Sequence, residues 1–369
     1  MENGKNFSTW VEVDLEAIEN NIRCIRQLSK TEVMAVVKAN GYGHGAFPAA
    51  VAAMQGGASW CGVARLEEGL ELRRAALDCP VLILGYTPPG RFEEAIANNI
   101  SLAIWNADQA QALAAAGMRV GKPARVHIKV DTGMSRLGVQ AELAFQLVSS
   151  LPGQGIRVEG LFTHFARADE ADPSSVESQE QCFYLAIQAL EAAGICPPLV
   201  HASNSAASLT RPASRYNLVR AGVAMYGLHP SEQCMLPNCF SPALTWKTVL
   251  SQVKLLPASR GVSYGHTYIT QKQERIGTLP VGYADGFRRT GGNIVLAGGR
   301  RVPVIGRVCM DQTMVQLDSV PDAKEGDEVV LIGRQGEAIL SAEDLAASWR
   351  TINYEVVCGI GARVPRLYK

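Results

Sequence analysis

The sequence predicts an α/β fold in which a TIM-like (β/α)8 barrel is followed by a mostly β C-terminal domain. Short β-rich runs alternate with stretches rich in Ala, Glu and Gln as far as residue 220, which is the pattern of a parallel barrel. From about residue 241, apolar runs separated by turn residues predict antiparallel strands. With 369 residues, 47% of them hydrophobic, the chain can bury two cores. We expect the barrel at residues 12–240 and the β domain at residues 241–369, which the N-terminal strand 1–11 joins.

The barrel elements follow one another in regular order. An open doubly wound sheet is the competing fold, but it would need a G-x-G-x-x-G turn after its first strand, and the loop 40–45 does not have that spacing. Clear helical stretches lie at residues 64–75, 107–115, 141–149 and 178–193. The eight predicted strands lie at residues 33–37, 60–63, 81–84, 102–105, 125–130, 158–162, 199–202 and 218–220.

The C-terminal domain is predicted from its runs and turns. Residues 244–256, 275–281, 302–308 and 328–332 favour strands, and residues 298–299 and 325–327 favour turns. One clear helix is predicted at residues 342–349, because Ser341 and Asp344 have the spacing of a capping box.

Composition excludes several classes of protein. Lys and Arg together number 35, as do Asp and Glu, so no net field would attract nucleic acid or an anionic membrane. The N-terminus has no apolar leader, and no run of ~18 apolar residues occurs, so we expect a cytoplasmic protein. The nine cysteines form no C-x-x-C pair, which argues against a disulfide framework and a thiolate metal site. We expect most of them to be buried.

Lys38 is the most informative single residue. It follows the apolar run 33–37 and precedes three glycines within five residues, so a strand delivers its amine to a loop that can approach a ligand closely. A lysine held in a partly desolvated pocket becomes a nucleophile toward carbonyls. The alternative is a solvated lysine at the end of a strand.

Polar residues also end several other predicted strands, and in barrels these positions carry the active site. The loops after strands seven and eight are the usual phosphate site of such barrels, and here they hold Asn204, Ser205, Gly222 and Val223. A lysine facing such a cup indicates pyridoxal 5'-phosphate as a cofactor, whereas phosphosugar binding would use the cup without the lysine. The strand-terminal residues are Lys38, Lys129, Asp131, His164, His201, Ser205 and Arg220.

Four motifs occur in order: VKANGYGHG at 37–45, KVDTGMSRLG at 129–138, SYG at 263–265 and GRVCMD at 306–311. With segments 10–14, 353–355 and 363–366, they make the chain resemble the alanine racemase family, the fold-type III pyridoxal-phosphate enzymes, over almost its whole length. The resemblance implies a homodimer with shared active sites, in which Tyr264 and Met310 reach the partner's site.

The resemblance also implies a two-base reaction. Lys38 would bind the cofactor covalently and act on one face of the substrate Cα, and Tyr264 would act on the other. His164, Arg220 and His201 would form a network beside that tyrosine and lower its pKa. Without the resemblance, Tyr264 is a strand aromatic in the core. Arg220 would contact the pyridine nitrogen and keep it unprotonated; the alternative is that it pairs with an exposed acid.

The remaining implied roles concern positioning. Arg136 would contact the phenolic oxygen of the cofactor and the substrate carboxylate, and Lys129, if carbamylated, would orient it. Met310 would also contact the substrate, and Asp311 would support the site. Tyr283 and Tyr354 would narrow the entrance. The implied cofactor-phosphate ligands are Tyr42, Ser205, Gly222, Val223 and Tyr354. His164 and Asn204 are further implied cofactor-binding residues.

The function that follows is racemisation of L- and D-alanine, which supplies D-alanine for peptidoglycan. The nearest alternative is a broader racemase that also accepts serine. A pyridoxal-phosphate carrier would lack the second domain, a fold-type III decarboxylase would be expected to use an acid in place of Arg220, and a metal-dependent barrel hydrolase would need an H-x-H pair, which the sequence lacks. Two residues depart from the family pattern or vary within it: Gln316 replaces a frequent aspartate, and His266 follows the SYG motif.

Overall fold

Two units make up the computed structural model, which describes residues 6–369. The barrel unit comprises Glu16–Ser241, and the β unit comprises the chain before Glu16 together with Pro242–Lys369. Strand β1, Thr9–Val13, belongs to the β unit and runs two residues beyond the boundary predicted at residue 11. Residues 1–5 of the predicted N-terminal strand lie outside the described residues.

Within residues 6–369, eight parallel strands form the wall of the barrel unit, and the first seven pair with one another in the order given by the chain. The final strand returns to pair with the first, as Leu218 lies opposite Glu32. Between the last two strands, the Arg220 backbone N–H donates to Ser203 O at 3.0 Å. The predicted α/β barrel is therefore confirmed. Its strands are β2 (Glu32–Val36), β3 (Trp60–Val63), β4 (Val81–Ile83), β5 (Ile100–Ile104), β6 (Ala124–Asp131), β8 (Ile156–Phe162), β9 (Leu199–His201) and β10 (Leu218–Ala221), and a short strand β7 (Val139–Gln140) pairs with β6.

The barrel strands are buried on both faces, which explains why they occur in the sequence as continuous apolar runs. Every residue of β3, β4 and β5 is buried. Inside the barrel, Met34, Trp60, Leu82 and Leu218 form one cluster. The first helix, Leu15–Ser29, begins one residue before the barrel unit does. The other helices of this unit are Ala46–Gln55, Leu66–Arg74, Phe92–Ala97, Ala107–Val120, Ala144–Ser149, Ser174–Ala192 and Ser205–Thr210.

The β unit is built on one large, mostly antiparallel sheet. Within the described chain this sheet has ten strands, which are β1, β11 (Leu244–Val249), β12 (Gln252–Leu256), β15 (Glu274–Leu279), β16 (Ile294–Ala297), β17 (Arg300–Ile305), β18 (Thr313–Gln316), β19 (Glu328–Gln335), β20 (Ala338–Leu340) and β21 (Arg366–Tyr368). Strand β1 lies between β11 and β21 near one edge, and it pairs with β21 in parallel. Two short strands, β13 (Gly261–Val262) and β14 (Tyr268–Ile269), form a separate two-stranded sheet.

Two details of the β unit differ from the sequence prediction. The run 244–256 is not one strand, because β11 pairs with β19 whereas β12 pairs with β15. A six-residue helix, Asn353–Cys358, follows the predicted helix Ala342–Trp349. That predicted helix begins at the expected capping box, in which Ser341 Oγ accepts from the Asp344 N–H at 3.1 Å.

The cysteines correct another expectation. Cys61 and Cys234 are the two buried ones among the described cysteines, and Cys196, Cys239 and Cys358 are exposed, so the prediction that most are buried is wrong. Across residues 6–369, no helix is long and apolar enough to cross a membrane. In the same part of the chain, no group of three or more His, Cys, Asp or Glu side chains could hold a metal ion.

Candidate active site

The loop that carries Lys38 is a left-handed turn. After β2 ends, φ is +52° at Ala39, +53° at Asn40, +60° at Gly41 and +52° at Tyr42. An L-residue in this region costs roughly 1–2 kcal/mol, so the three non-glycine residues among these four require compensation from the surrounding structure. The strand end and the glycines could be predicted from the sequence, but this conformation could not.

One carboxylate supplies much of that compensation. Glu68 Oε1 accepts from the Ala39 N–H at 2.7 Å, and its Oε2 accepts from the Ala64 and Arg65 N–H groups at 2.7 and 3.1 Å. At the other end of the turn, Asn40 Oδ1 accepts from the Ala46 N–H at 3.0 Å. Lys38 and Tyr42 are therefore attached to a backbone whose shape is fixed by tertiary hydrogen bonds.

A cup of small residues lies beside Tyr42. Ser205 Oγ accepts from the Gly222 N–H at 3.0 Å and from the Ala224 N–H at 3.3 Å. A Cβ atom added at Gly222 would lie 2.9 Å from Tyr42 Oη, so only glycine leaves room there. Asn204 caps helix Ser205–Thr210 through its Oδ1, which accepts from the Ala207 N–H. Val223 begins the next turn, Val223–Tyr226.

Arg220 lies on β10, the last strand of the barrel, and is only 3% exposed. Its Nη1 donates to His201 Nδ1 at 2.9 Å and to His201 O at 3.1 Å. Its Nη2 donates to His164 Nδ1 at 3.1 Å and to the carbonyls of Thr163 and Ala202 at 2.8 and 2.7 Å. The alternative that Arg220 pairs with an exposed acid is therefore wrong. Burial lowers the pKa of Arg220 to about 9, which still leaves a cation at neutral pH.

Both histidines bonded to Arg220 are neutral. Burial, followed by the charge of Arg220, holds the pKa of His201 and of His164 well below the ordinary value. Phe162 packs against this group: its ring stacks on His201 with centroids 4.8 Å apart, and the Arg220 Cζ lies 5.7 Å from its centroid. The orientation of Arg220 is thus fixed by hydrogen bonds and by packing.

Lys129 lies in the same cluster of cations. It is 5% exposed, and burial together with the charges of Arg136, Arg220 and Lys38 lowers its pKa to about 8. The charges of Arg220, Arg136, Lys129 and Lys38 also lower the pKa of His164, so these four cations lie around the same part of the barrel unit. Asp131 acts in the opposite direction and raises the pKa of Lys129. Its Oδ1 accepts from the Gly133 and Ser135 N–H groups, which shapes the loop before Arg136.

A second group of predicted residues lies in the β unit and is exposed. Tyr264 is 68% exposed, Met310 53% and Tyr283 45%, so the alternative that Tyr264 is a core aromatic is wrong. These residues share one region of that unit, because Ser263 Oγ donates to Arg307 O at 2.5 Å and the Tyr283 N–H donates to Cys309 O at 3.1 Å.

The other predicted residues of the β unit flank this region. His266 is exposed and shares the short turn Tyr264–His266. Asp311 Oδ1 accepts from Arg363 Nη2 at 2.6 Å, while Arg363 Nε donates to Asp285 Oδ1 at 2.6 Å. Tyr354 is partly buried in helix Asn353–Cys358. The candidate site residues therefore divide into a cationic group in the barrel unit and an exposed, aromatic-rich group in the β unit.

Comparison with known proteins assigns both units to one family. Residues 13–230 match the model of the alanine racemase N-terminal domain, and residues 243–368 match that of the C-terminal domain. The chain belongs to the alanine racemase family. The resemblance inferred from the motifs is thereby confirmed, and family membership makes the chain an isomerase.

Individual alanine racemases match along nearly their full length. That of Symbiobacterium thermophilum is 48% identical, over 98% of this chain and 97% of its own. That of Desulfovibrio desulfuricans is 46% identical, over 97% of each chain. Among solved structures, alanine racemase of Clostridium difficile 630 superposes with a TM-score of 0.94 at 38% identity, covering 98% of this chain and 96% of that one. The crystal structure of the Bacillus anthracis enzyme with bound L-Ala-P gives a TM-score of 0.93 at 40% identity, covering 98% and 95%.

Three residues near the alanine racemase motifs were not predicted from the sequence. Glu68 lies on helix Leu66–Arg74, whose sequence contains no motif that indicates a catalytic or binding residue. His127 is fully buried and its Nδ1 lies 2.9 Å from His201 Nε2, while Glu159 faces its other nitrogen. The alternation of side chains along a strand could have identified His127, because it lies two residues before Lys129 and so on the same face of β6.

Proposed function

We propose that this protein is a pyridoxal-phosphate-dependent enzyme that interconverts L- and D-alanine. Membership of the alanine racemase family supports the reaction. The observation that carries the proposal is the barrel mouth, where Lys38, Lys129, Arg136 and Arg220 lie together beside the cup of Tyr42, Ser205 and Gly222. The donors and charges of this arrangement suit an anionic cofactor and a carboxylate substrate.

The residues of the cup fit a phosphate group. Each of them can donate a hydrogen bond, through the hydroxyls of Tyr42 and Ser205 or the backbone N–H groups of Gly222 and Val223. The missing Cβ of Gly222 leaves space next to Tyr42 Oη. Asn204 holds the helix that begins at Ser205, and Tyr354 from the β unit is proposed as a further ligand. The four neighbouring cations would balance the charge of the cofactor.

Bound pyridoxal phosphate would supply an aldehyde carbon for attachment and a ring that withdraws electrons from the substrate Cα. Lys38 holds the cofactor and moves a proton on one face of that carbon. Tyr264 of the partner subunit moves the proton on the other face. Inversion needs a proton removed from one face and returned on the other, so two groups on opposite sides are required. The exposure of Tyr264, Met310 and Tyr283 supports a homodimer in which these residues reach the partner's site.

Arg220 is proposed to face the pyridine nitrogen. A guanidinium only donates hydrogen bonds, so it leaves that nitrogen unprotonated and limits electron withdrawal by the ring. Weak withdrawal favours return of the proton to the substrate Cα rather than to another carbon. A decarboxylase would be expected to place an acid at this position, and the hydrogen bonds that fix Arg220 among histidines and carbonyls favour the racemase instead.

Arg136 is proposed to bind the substrate carboxylate, and Lys129 to orient it as a carbamate. Only an unprotonated amine reacts with carbon dioxide, and a pKa of about 8 gives Lys129 an appreciable unprotonated fraction at neutral pH. The carbamate would carry a negative charge, so the repulsion between Lys129 and Arg136 would become attraction. Asp311, tied to Arg363, would support the loop of Met310.

The substrate is proposed to be small because Tyr283 and Tyr354 narrow the entrance. Alanine fits this best, and a broader racemase that also accepts serine is the second candidate. The proposed physiological role is the supply of D-alanine for peptidoglycan, in the cytoplasm.

The test begins with the absorbance spectrum of the purified protein with pyridoxal phosphate, followed by D-amino acid formation from L-alanine and L-serine. Lys38→Ala should abolish the band of the covalently bound cofactor and the activity. Tyr264→Phe should keep the band and abolish racemisation, whereas Tyr86→Phe, a change at a 54% exposed tyrosine of the barrel unit, should leave both unchanged. A spectrum with a bound-cofactor band but no D-alanine would overturn the proposed reaction.

Mixing the two inactive variants tests the partner-subunit assignment. If Tyr264 acts in the partner's site, a Lys38→Ala chain paired with a Tyr264→Phe chain has one complete site, and random exchange should restore about a quarter of wild-type activity. If both groups act within one chain, no mixture regains activity.

A further inference from the structure

A series of polar side chains leads from Arg220 into the interior of the barrel. It consists of Arg220, His201, His127 and Glu159, and we call it the relay. Arg220 Nη1 bonds His201 Nδ1 at 2.9 Å, and His201 Nε2 bonds His127 Nδ1 at 2.9 Å. His127 Nε2 faces Glu159 Oε2 at 3.5 Å, and that oxygen also accepts from Ser101 Oγ at 2.5 Å. Arg220 is 3% exposed, and both histidines are 0% exposed, so water cannot replace these partners.

The position of each proton along this chain follows from its two ends. Arg220 can only donate, so His201 Nδ1 must accept and the proton of neutral His201 lies on Nε2. His201 then donates to His127 Nδ1, which places the proton of His127 on Nε2. That proton lies on the side of the Glu159 carboxylate, 3.5 Å from Nε2, and the negative charge of the carboxylate stabilises it there. One cation and one carboxylate therefore select a single tautomer for both histidines.

We propose that His127 and Glu159 are positioning residues for the racemase reaction: they fix the tautomer of His201 and thereby hold Arg220 in one orientation as a permanent donor. This inference rests on the proposed function, because it is there that the orientation of Arg220 matters. Neither residue touches the reacting atoms; they act through His201.

Several features of the barrel are arranged around this contact. A Cβ atom at Gly160 would lie 2.3 Å from His127 Nδ1, so a glycine is needed for the His127 ring to reach His201. The pairing of β6 with β8 shifts register between Val126 and His127. Trp60 meets the His127 ring edge-on at 5.4 Å. The ring is therefore held in one place by shape as well as by hydrogen bonds.

The charge at the far end is also stabilised. Burial raises the pKa of Glu159, but the contacts of its carboxylate with His127, Ser101 and Arg125 outweigh that effect and leave the pKa below its ordinary value. Burial, in turn, lowers the pKa of His127 despite the neighbouring carboxylate. Arg125 Nη1 lies 3.9 Å from Glu159 Oε1. Glu159 is thus an anion and His127 a neutral ring, which are the states that the relay requires.

Without the carboxylate of Glu159, nothing would favour one tautomer of His127 over the other. If the proton of His127 moved to Nδ1, it would oppose the Nε2–H of His201, and His201 could relieve the clash only by moving its own proton to Nδ1. That proton would then face an N–H of Arg220, so the guanidinium would have to rotate away from His201. Three carbonyls would still hold other N–H groups of Arg220, so we expect misorientation rather than unfolding.

The experiment uses the holoenzyme labelled with 15N-histidine, because six histidines give a simple spectrum. Long-range 1H–15N correlation spectra identify the tautomer of each ring. Wild type should show the Nε2–H tautomer for both His127 and His201. Glu159→Gln should replace this pattern by mixed tautomers, weaken binding of pyridoxal phosphate, and reduce kcat/KM for L-alanine by about tenfold, as loss of a supporting partner typically does.

Glu180→Gln is the matched control. Glu180 is 19% exposed, as Glu159 is, accepts from a serine hydroxyl and pairs with Arg211, but it lies outside the relay. Its change should leave the tautomers, cofactor affinity and kcat/KM as in wild type. Ser101→Ala, which keeps the carboxylate, should shift the same readouts less than Glu159→Gln does.

An Nδ1–H tautomer at either histidine in the wild type would overturn the proposal, even if Glu159→Gln failed to fold. Unchanged tautomers and kcat/KM in a folded Glu159→Gln would overturn it as well. If the wild type shows the expected tautomers but forms no D-alanine, the proposed function fails while the relay itself stands, so the two failures are distinguishable.

Discussion

Removing the carboxylate of Glu68 should loosen the turn that carries Lys38. Its Oε1 is the acceptor for the Ala39 N–H, at 2.7 Å, and Ala39 is the first of four residues in left-handed conformation. In Glu68→Ala, that N–H would lose a charged acceptor while the strain of the turn would remain. The turn would then open more often, because right-handed conformations are favoured for Ala39, Asn40 and Tyr42.

The size of the effect can be worked from this single bond. A hydrogen bond to a charged group contributes roughly 1.5–3 kcal/mol net, and we take the lower end because the Ala39 N–H is at the surface and water can partly replace the acceptor. A loss of about 1.5 kcal/mol corresponds to slightly more than a tenfold rise in the population of the open turn. The Ala64 and Arg65 N–H groups lose their acceptor too, which should add to the overall destabilisation.

Hydrogen–deuterium exchange read by mass spectrometry would measure the opening directly. Peptides that cover residues 38–45 should exchange about ten times faster in Glu68→Ala than in wild type. The adjacent Glu67→Ala is the control, because Glu67 is 65% exposed and its carboxylate pairs with Arg91 rather than with an N–H group of the turn. It should change exchange in this segment little. Equal exchange in Glu68→Ala and wild type would show that the turn does not depend on the carboxylate.

Two further predictions concern stability. In buffer without carbon dioxide, wild type should become more stable from pH 8 to about pH 10, because Lys129 has a pKa of about 8 when folded and near 10.5 when unfolded, so the unfolded state binds more protons in that window. Lys129→Met should remove this rise and should increase the free energy of unfolding at pH 7 by up to about 3 kcal/mol. Urea unfolding at pH 7, 8 and 10 measures both effects. A rise from pH 8 to pH 10 that persists in Lys129→Met would show that another group is responsible. Gln316→Glu should lower the free energy of unfolding by about 2 kcal/mol, since Gln316 Nε2 donates to Glu274 Oε2 at 2.9 Å and a carboxylate there would repel it. An unchanged urea midpoint at pH 8 would contradict this, and part of the loss should disappear at pH 5 as one carboxyl takes up a proton.

The barrel could be predicted from the sequence because its strands are buried on both faces. Continuous apolar runs such as β3 and β5 can be recognised as buried strands without knowing which strands they pair with. The division between β11 and β12 could not be predicted in that way. Leu250 and Ser251 carry no turn signal, since the chain there does not reverse. Their N–H groups donate to Asp327 O and Thr278 O, and the chain passes from one strand partner to another.

The site was only partly predictable for a related reason. Motifs identified the residues with chemical side chains, among them Lys38, Arg220 and Tyr264. The conformation of Ala39 and Asn40 depends on Glu68 and Ala46, which are distant in sequence or act through the backbone, so no local pattern indicates it. The contact of Glu159 with His127 likewise exists only once β6 and β8 have paired.

The left-handed turn also bears on the chemical ageing of the protein. An Asn–Gly pair is prone to deamidation, in which the glycine nitrogen attacks the asparagine side chain, and Asn40–Gly41 is such a pair. Here the Gly41 N–H donates to Val37 O at 2.8 Å, and Asn40 Oδ1 accepts from the Ala46 N–H at 3.0 Å. Both reacting groups are thus held in hydrogen bonds that the attack would have to break. The conformation that costs folding energy also protects the segment around Lys38 from slow covalent damage.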